Sequence, residues 1–141
     1  MEEQQQKYLL GKSKRLKSRK AIDLLFKDGK SFNTFPFRII YQFFPLDATV
    51  TTENLQAGFS ASKRNLKKAV HRNRVKRLMR ETYRLQKNEL EQLLIHQHKK
   101  IKIFILYTGK ELPEHSLVNE KILLIIQKLQ RIINEKPVTN T

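Results

Sequence analysis

The stretch from Asn65 to about Ile95 constrains the fold more than any other part of the sequence. It contains neither proline nor glycine, the residues that most strongly oppose a continuous helix. From Val75 onward its core-type residues recur at the spacing of one helical face: Val75, Leu78, Met79, Thr82, Leu85, Leu93 and Leu94. The sequence therefore predicts one long helix, and other elements of the chain must cover its apolar side.

The opposite side of this predicted helix is strongly cationic. Residues 60–87 hold eleven Lys and Arg side chains and a single acid, Glu81. Like charges four residues apart on a helix cost roughly 0.2–0.5 kcal/mol per pair, and an external anion removes that cost. At about 100° per residue, one side of the helix gathers the following residues: Asn73, Lys76, Arg77, Arg80, Arg84 and Lys87.

The charge of the whole chain also indicates a polyanionic partner. Its 141 residues carry 29 Lys and Arg against 13 Asp and Glu, which gives a formal net charge of +16. A nucleic acid neutralises such an excess efficiently. A second cationic segment, the basic arm, lies near the N-terminus and is expected to seek the same partner: Lys12, Lys14, Arg15 and Lys17.

Several other classes of protein are disfavoured by composition. The chain has no cysteine, so disulfide frameworks and cysteine-based zinc sites are excluded. No apolar run approaches the ~20 residues that span a bilayer, and residues 1–8 are acidic and glutamine-rich rather than a secretory signal. We therefore expect a cytoplasmic protein with no membrane partner.

Short helical and extended patterns flank the long helix. Ser18 can cap a helix that carries Ile22, Leu25 and Phe26 on one side, and Gly29 can end it. Phe35–Phe44 alternates in the manner of a strand, and Leu55–Ala61 returns as a second extended segment, so the two suggest an antiparallel pair.

The C-terminal third of the chain adds a strand and a helix. Ile101–Tyr107 predicts the strand, and Leu117–Asn134 predicts the helix. The stripe expected to face the core consists of Val118, Ile122, Ile125, Leu129, Ile132 and Ile133.

Together these elements predict a small single α+β domain. Their order is helix, two or three strands, helix, strand, helix, with the sheet packed on helices. The domain is expected to span residues 12–135 and to bind a polyanion such as a nucleic acid. Residues 1–11 and 136–141 are expected to be disordered.

Within the cationic segment, the spacing of particular residues carries more information than the charge alone. Phe59–Arg64 reads Phe-Ser-Ala-Ser-Lys-Arg, and residues 72–80 hold Arg-Asn-Arg, then Lys-Arg, then Arg. This pattern resembles the signature of the bacterial ribonuclease P protein family. The resemblance extends to Arg-Leu-Lys at 15–17, to Phe-Lys-Asp-Gly at 26–29, to the aromatic strand and to the final strand and helix, so it covers most of the chain.

The resemblance implies a fold, an activity and partners. The family's sheet packs against helices, with a left-handed β-α-β crossover that departs from the right-handed rule. A member is the protein subunit of an endoribonuclease that removes the 5′ leader of precursor transfer RNA. The resemblance implies no catalytic side chain and no metal or cofactor bound by protein side chains alone, because the catalytic RNA performs the cleavage with magnesium ions. The implied partners are that RNA and precursor transfer RNA.

The resemblance also implies two binding surfaces. The surface for the catalytic RNA would consist of Lys63, Arg64, Arg72, Asn73, Arg74, Lys76, Arg77, Arg80 and, by its place on the cationic side, Arg84. The cleft for the single-stranded leader would consist of Ile22 and Phe26 with Ile40 or Tyr41. This sequence has Ile22 where the family often has an aromatic residue. It also lacks the family's glycine after Lys67 and Lys68, which leaves the geometry of residues 65–68 open.

Other functions remain as alternatives on the residues alone. A basic protein of another ribonucleoprotein, such as a ribosomal protein, would share this composition, and a DNA-binding factor could place the helix in a major groove. A role at an anionic membrane would need an apolar anchor. His96 with His98, and Glu89 with Glu91, stand two residues apart on a predicted helix and point to different sides, which favours neither a metal site nor a catalytic pair.

Overall fold

The computed structural model describes residues 15–44 and 54–135, and it shows the predicted α+β domain. Four strands form one sheet, and helices cover it on both faces. The predicted disorder of 1–11 and 136–141 lies outside the described residues. In chain order the elements are α1 (Arg19–Asp28), β1 (Lys30–Thr34), β2 (Phe37–Phe44), β3 (Leu55–Ala61), α2 (Ala69–Gln86), α3 (Asn88–His96), β4 (Lys100–Tyr107) and α4 (His115–Glu135).

Helix α1 begins and ends where the sequence predicts. The Ser18 hydroxyl accepts a hydrogen bond from the Ala21 backbone N–H at 3.2 Å, which satisfies a donor that the first turn leaves unpaired. At the other end the Gly29 N–H donates to the Leu25 carbonyl at 2.8 Å. Leu25 is buried, whereas Phe26 stays 46% exposed.

The N-terminal half of the sheet contains a strand that the sequence analysis did not predict. Strand β1 pairs antiparallel with β2 from Lys30 opposite Tyr41 to Thr34 opposite Phe37. The predicted strand at Phe35–Phe44 therefore starts two residues too early, because the cis Phe35-Pro36 peptide forms the turn between the strands. Ser31, Asn33 and Thr34 give β1 a polar composition, which hides an edge strand from a search for apolar alternation.

The strand order is β1-β2-β4-β3, which corrects one prediction. The expected antiparallel pairing of Phe35–Phe44 with Leu55–Ala61 is wrong, because β4 lies between β2 and β3. Strand β4 runs antiparallel to β2 and parallel to β3. It buries Ile103 and Ile105 on one face and Phe104 on the other, a pattern that suits a central strand.

Because β3 and β4 are parallel neighbours, α2 and α3 form the crossover between them. The left hand of that crossover, which the resemblance implies, stays a prediction. Strand β4 itself lies at Lys100–Tyr107 and helix α4 at His115–Glu135, within two residues of the predicted bounds. In the predicted stripe of α4 all residues are buried except Ile132, which is partly buried, and Ile126 joins them.

The two faces of the sheet carry separate hydrophobic clusters. Alternate residues of a strand point to opposite faces, so Ile39 enters the main core under α2, α3 and α4. Ile40 enters a second, smaller cluster with Leu16, Leu25 and Phe104. Helix α1 covers that second cluster and contacts β2 and β4. The sheet therefore separates α1 from the cationic helix.

The predicted long helix is broken in the structure. Residues 62–68 form a loop, α2 ends at Gln86, and α3 starts at Asn88. Lys87 joins the helices with right-handed helical backbone angles (φ −76°, ψ −14°), so the helical path changes at one residue without a proline or glycine. This residue and its partner Glu91 lie inside the domain, as described below.

Candidate nucleic-acid interface

Helix α2 displays the cationic face that the sequence predicts. Arg74, Arg77 and Arg80 are exposed, as is Asn73, and Lys76 is partly exposed. Val75, Met79 and Thr82 are buried on the opposite side. Leu85, predicted to face the core, is 52% exposed. Tyr83 is buried instead, and its ring packs on Phe59 at a centroid distance of 5.2 Å. This burial raises the pKa of the Tyr83 hydroxyl well above its ordinary value.

Arg72 differs from its neighbours because it holds the loop that precedes α2. Its Nη1 atom donates to the carbonyls of Leu66 at 2.8 Å and Lys67 at 2.6 Å. The Asn65 side-chain amide donates to the Thr108 carbonyl at 2.7 Å, and the Asn65 N–H donates to the Ser62 hydroxyl at 3.3 Å. These bonds define the loop geometry that the missing glycine left open. Arg72 is predicted to bind RNA, and the structure shows that it also stabilises the loop before α2.

Two cations of the predicted face have acidic neighbours within the protein. The Arg84 guanidinium donates to Glu81 on the surface, and this bond lowers the pKa of the Glu81 carboxyl. Lys87, expected on the outer side, is fully buried, which corrects its placement there. Its Nζ atom lies 3.0 Å from Glu91 Oε1. An inward-facing lysine with a carboxylate partner cannot contact an external phosphate.

The described part of the basic arm extends the cationic face. Arg15 forms an isolated parallel bridge with Ala57 at the outer edge of β3, and the Leu16 N–H donates to the Ala57 carbonyl at 2.9 Å. The Arg15 side chain lines one pocket of about 250 Å³ with Arg77, Arg80 and Arg84, and Glu81 completes it. Lys17 is exposed, and Lys12 and Lys14 lie outside the described residues.

The Gly58 position in β3 explains how the N-terminal segment reaches this edge. A Cβ atom at Gly58 would lie 2.7 Å from the Phe104 ring and 3.0 Å from the Leu16 carbonyl oxygen. The first distance is shorter than real Cβ contacts and the second is tight, so a side chain at this position would displace the Phe104 ring and crowd the N-terminal segment. Lys63 and Arg64 are exposed in the turn after β3, at the approach to α2.

The residues predicted for the leader cleft divide between the two faces of the sheet. Ile22 packs against the small cluster that contains Ile40, and the Phe26 ring lies edge-on to Phe104 at 5.3 Å. These residues are together on the α1 face. Tyr41 points to the opposite face, where it contacts Phe32 and Phe43 at centroid distances of 6.0 and 6.1 Å. Of the two residues predicted from β2, Ile40 therefore lies on the same face of the sheet as Phe26, and Tyr41 does not.

The α1 face also holds residues that the sequence analysis missed. Phe104 lies beneath Phe26, and farther along this face the Lys102 ammonium lies 4.5 Å from the centroid of the Phe44 ring. Burial, together with the nearby charge of Lys100, lowers the pKa of Lys102. The signal was present in β4, where strand alternation places Lys100, Lys102 and Phe104 on one face.

A small α+β domain with a cationic helix on one face of its sheet, and a helix that carries an exposed aromatic side chain on the other, defines a class of basic, nucleic-acid-binding proteins. A family model described as Ribonuclease P matches residues 10–129. The chain belongs to the ribonuclease P protein family, whose members are subunits of an endoribonuclease that matures the 5′ end of transfer RNA.

Curated relatives and solved structures agree with this membership. The chain is 36% identical over 109 residues to the ribonuclease P protein component of Porphyromonas gingivalis, covering 77% of each chain. It is 33% identical to that of Chlorobium phaeobacteroides over 132 residues, covering 86% of this chain and 88% of the relative. Together with the family model, these relatives favour the resemblance over a ribosomal protein or a DNA-binding factor.

The fold is similar to that of two solved ribonuclease P proteins. The protein from Thermotoga maritima superposes with a TM-score of 0.60 at 24% identity, covering 81% of this chain and 96% of that one. The protein from Staphylococcus aureus superposes with a TM-score of 0.58 at 18% identity, covering 85% and 97%. Among the described residues no helix is long and apolar enough to cross a membrane.

Proposed function

We propose that this protein binds the catalytic RNA of ribonuclease P through α2 and the basic arm, and binds the 5′ leader of precursor transfer RNA through the α1 face. The observation that supports the proposal is the separation of the two surfaces by one sheet. One surface is cationic and the other is apolar with an exposed aromatic ring. A single small domain can therefore contact a folded RNA and an unpaired strand at the same time.

The α2 surface has the chemistry of a phosphate-binding face. Arg74, Arg77 and Arg80 project from a rigid helix, and guanidinium groups bind phosphate oxygens through paired hydrogen bonds. Arg15 adds a fourth guanidinium from the neighbouring edge of the sheet. The proposed role of this surface is to neutralise and position the RNA backbone.

The α1 face has the chemistry of a single-strand site. Phe26 is 46% exposed, yet its ring is held by Phe104, so it offers an ordered surface on which an unpaired base can stack. Ile22 is partly exposed and adds apolar surface, while Ile40 is buried beneath α1 and supports it. Because Ile22 has no π-face, the stacking role is assigned to Phe26.

Magnesium is proposed to enter through the RNA. The α2 face carries Arg and Lys side chains, and its one acid, Glu81, already bonds Arg84. Such a surface repels a free divalent cation and attracts the phosphates that bind it. The side chains of the protein would then hold RNA in place while magnesium and RNA cleave the leader. We propose that this reaction takes place in the cytoplasm.

The direct test of the function is leader cleavage by the cognate catalytic RNA at low magnesium concentration. We expect strong stimulation when the full-length protein is added to RNA and precursor transfer RNA, and no cleavage by the protein alone. Cleavage is measured by the release of a 5′-labelled leader. Folded protein that binds neither RNA and does not stimulate cleavage would contradict the proposal.

The Phe26→Ala substitution is expected to weaken precursor binding about tenfold, since stacking of one base on an aromatic side chain contributes ~1–3 kcal/mol. Binding of mature transfer RNA, which lacks the leader, should not change. Titration of the catalytic RNA–protein complex with each transfer RNA measures the difference. Equal loss for both would show that Phe26 does not contact the leader.

Tyr41→Ala provides the matched control for this experiment. It removes a partly buried aromatic ring from the same sheet, but from the opposite face. Its effect should therefore be on thermal stability, with no preference for precursor over mature transfer RNA. A selective loss of precursor binding in Tyr41→Ala would contradict the placement of the leader on the α1 face.

A further inference from the structure

A groove runs along α2 beside the segment that follows β4. It has a volume of about 670 Å³, within the range of roughly 300–1,000 Å³ that small-molecule sites occupy. Its apolar walls are Val70 and Leu78 from α2 and Leu112 from the segment before α4. Val70 is 69% exposed and Leu112 is 38% exposed. These apolar groups face solvent within the most basic region of the protein.

The segment that carries Leu112 is held firmly against the rest of the domain. The Tyr107 hydroxyl donates to the Glu111 carbonyl at 2.5 Å, and the Thr108 N–H donates to the Pro36 carbonyl at 2.8 Å. Gly109 lies between Thr108 and Glu111 in the chain. A Cβ atom at this position would collide with the Tyr107 ring and hydroxyl, so the segment packs closely on Tyr107. The groove is thus preformed rather than dependent on a ligand to close it.

The rim of the groove defines the chemistry of its occupant. Asn73, Arg74 and Arg77 line it beside the apolar walls. A phosphate group alone would leave Val70 and Leu112 in water, and an apolar peptide would leave two guanidinium groups without an anion. A nucleotide satisfies both parts, because its base is flat and largely apolar on its faces while its phosphate carries negative charge.

Glu81 adds a feature that a simple phosphate site would not have. It lines the same groove, and it is the single acid among residues 60–87. The Arg84 bond lowers the pKa of its carboxyl, so this group is ionised at neutral pH. A carboxylate repels phosphate but accepts hydrogen bonds from amino groups on base edges. It therefore favours a base at its end of the groove, with the phosphate toward Arg74 and Arg77.

We propose that this groove receives one unpaired nucleotide of the catalytic RNA, with its base between Leu78 and Leu112, an amino group of that base bonded to Glu81, and its ribose against Val70. The inference rests on the proposed function, since it places the RNA that α2 binds in a specific register. Phosphate contacts along α2 would fix the position of the helix, and this nucleotide would add recognition of a particular unpaired residue.

The first test compares two double substitutions in the full-length protein. Val70→Ala with Leu112→Ala is expected to weaken binding of the catalytic RNA about tenfold while leaving the salt dependence of binding unchanged, because no phosphate contact is lost. Leu123→Ala with Leu124→Ala removes two other exposed apolar side chains, both from α4, and should leave binding unchanged. Circular dichroism and thermal unfolding confirm that both variants are folded.

The second test locates the nucleotide. Leu112→p-benzoylphenylalanine is expected to cross-link to one unpaired nucleotide of the catalytic RNA after irradiation, whereas the same replacement at Leu124 should give no cross-link. Replacing that nucleotide with uridine, which has no amino group, should weaken binding by the wild-type protein and have less effect with Glu81→Gln. Glu89→Gln, an exposed acid on α3, serves as the control.

Three results would overturn the groove assignment while leaving the proposed function intact. These are unchanged RNA binding by the Val70 and Leu112 variant, cross-links spread over base-paired regions, and cross-links to precursor transfer RNA alone. If the wild-type protein does not bind the catalytic RNA at all, the proposed function itself fails. The wild-type titration therefore separates the two failures.

Discussion

Charge reversal of Arg74, Arg77 and Arg80 to glutamate is expected to weaken binding of the catalytic RNA by roughly 100-fold or more at physiological salt. The three side chains are exposed on one side of α2. Reversal changes the charge of this face by two units per residue and takes the chain from +16 to +10. Lost phosphate contacts and new repulsion act in the same direction.

The salt dependence of binding identifies the cause of this loss. Each phosphate contact contributes about 0.7–0.9 to the slope of log affinity against log salt concentration. Loss of three contacts should therefore reduce the slope by roughly two to three. The measurement is a filter-binding or fluorescence titration of the catalytic RNA at several potassium chloride concentrations. Arg72 is left intact because it holds the loop before α2.

A control with the same total charge tests the location of the interface. Lys27, Lys121 and Arg131 lie on α1 and α4 rather than on α2. Their reversal to glutamate also gives the chain a net charge of +10. The affinity for the catalytic RNA should change much less, and its salt dependence should keep nearly the wild-type slope. If both triple variants lose the same affinity and slope, the net charge of the chain attracts RNA and α2 is not a defined interface.

The sequence predicted most elements because their patterns are local. Ser18, Gly29 and the spacing of Ile22, Leu25 and Phe26 are sufficient to define α1, and the exposed face of α2 follows from helical periodicity. The pairing of strands is a nonlocal property. Nothing in Leu55–Ala61 alone distinguishes an antiparallel neighbour of β2 from a parallel neighbour of β4. The structure shows that β4 occupies the centre.

The candidate site shows the same division between local and nonlocal information. Periodicity correctly placed Arg77 and Arg80 on the surface, and the resemblance added Arg74. Periodicity also placed Lys87 there, because a charge pattern does not show which cation has an internal partner. Tyr41 and Ile40 are adjacent in sequence and equally compatible with a cleft. Only the position of α1 on one face of the sheet separates them.

The N-terminal segment connects the two proposed RNA surfaces. Arg15 and Leu16 are adjacent, yet Arg15 lines the pocket with the arginines of α2 and Leu16 lies in the cluster under α1. The alternation of an extended chain at the edge of β3 produces this arrangement. An RNA bound to α2 and a strand bound to the α1 face would therefore contact opposite sides of the same short segment.

The junction between α2 and α3 depends on the buried pair formed by Lys87 and Glu91. The side chain of Lys87 is 1% exposed and that of Glu91 is 13% exposed. Leu90 and Leu94 on α3 are fully buried beside this pair in the main core. Both helices meet at Lys87, so the pair helps to set where α2 ends and how α3 returns to the sheet.

Removal of one partner of this pair is expected to destabilise the protein strongly. Glu91→Leu would leave the Lys87 ammonium buried without its carboxylate, which typically costs about 3–5 kcal/mol and lowers the Tm by roughly 10 °C or more in a domain of this size. Lys87→Met combined with Glu91→Leu should recover most of the stability, because an apolar pair of similar volume leaves no buried charge.

Glu89→Leu, at an exposed position of α3, controls for the change in helix composition and should cost less than about 1 kcal/mol. Urea unfolding of the four proteins measures the differences, and a single Glu91→Leu variant as stable as the double variant would show that the buried pair does not hold the junction.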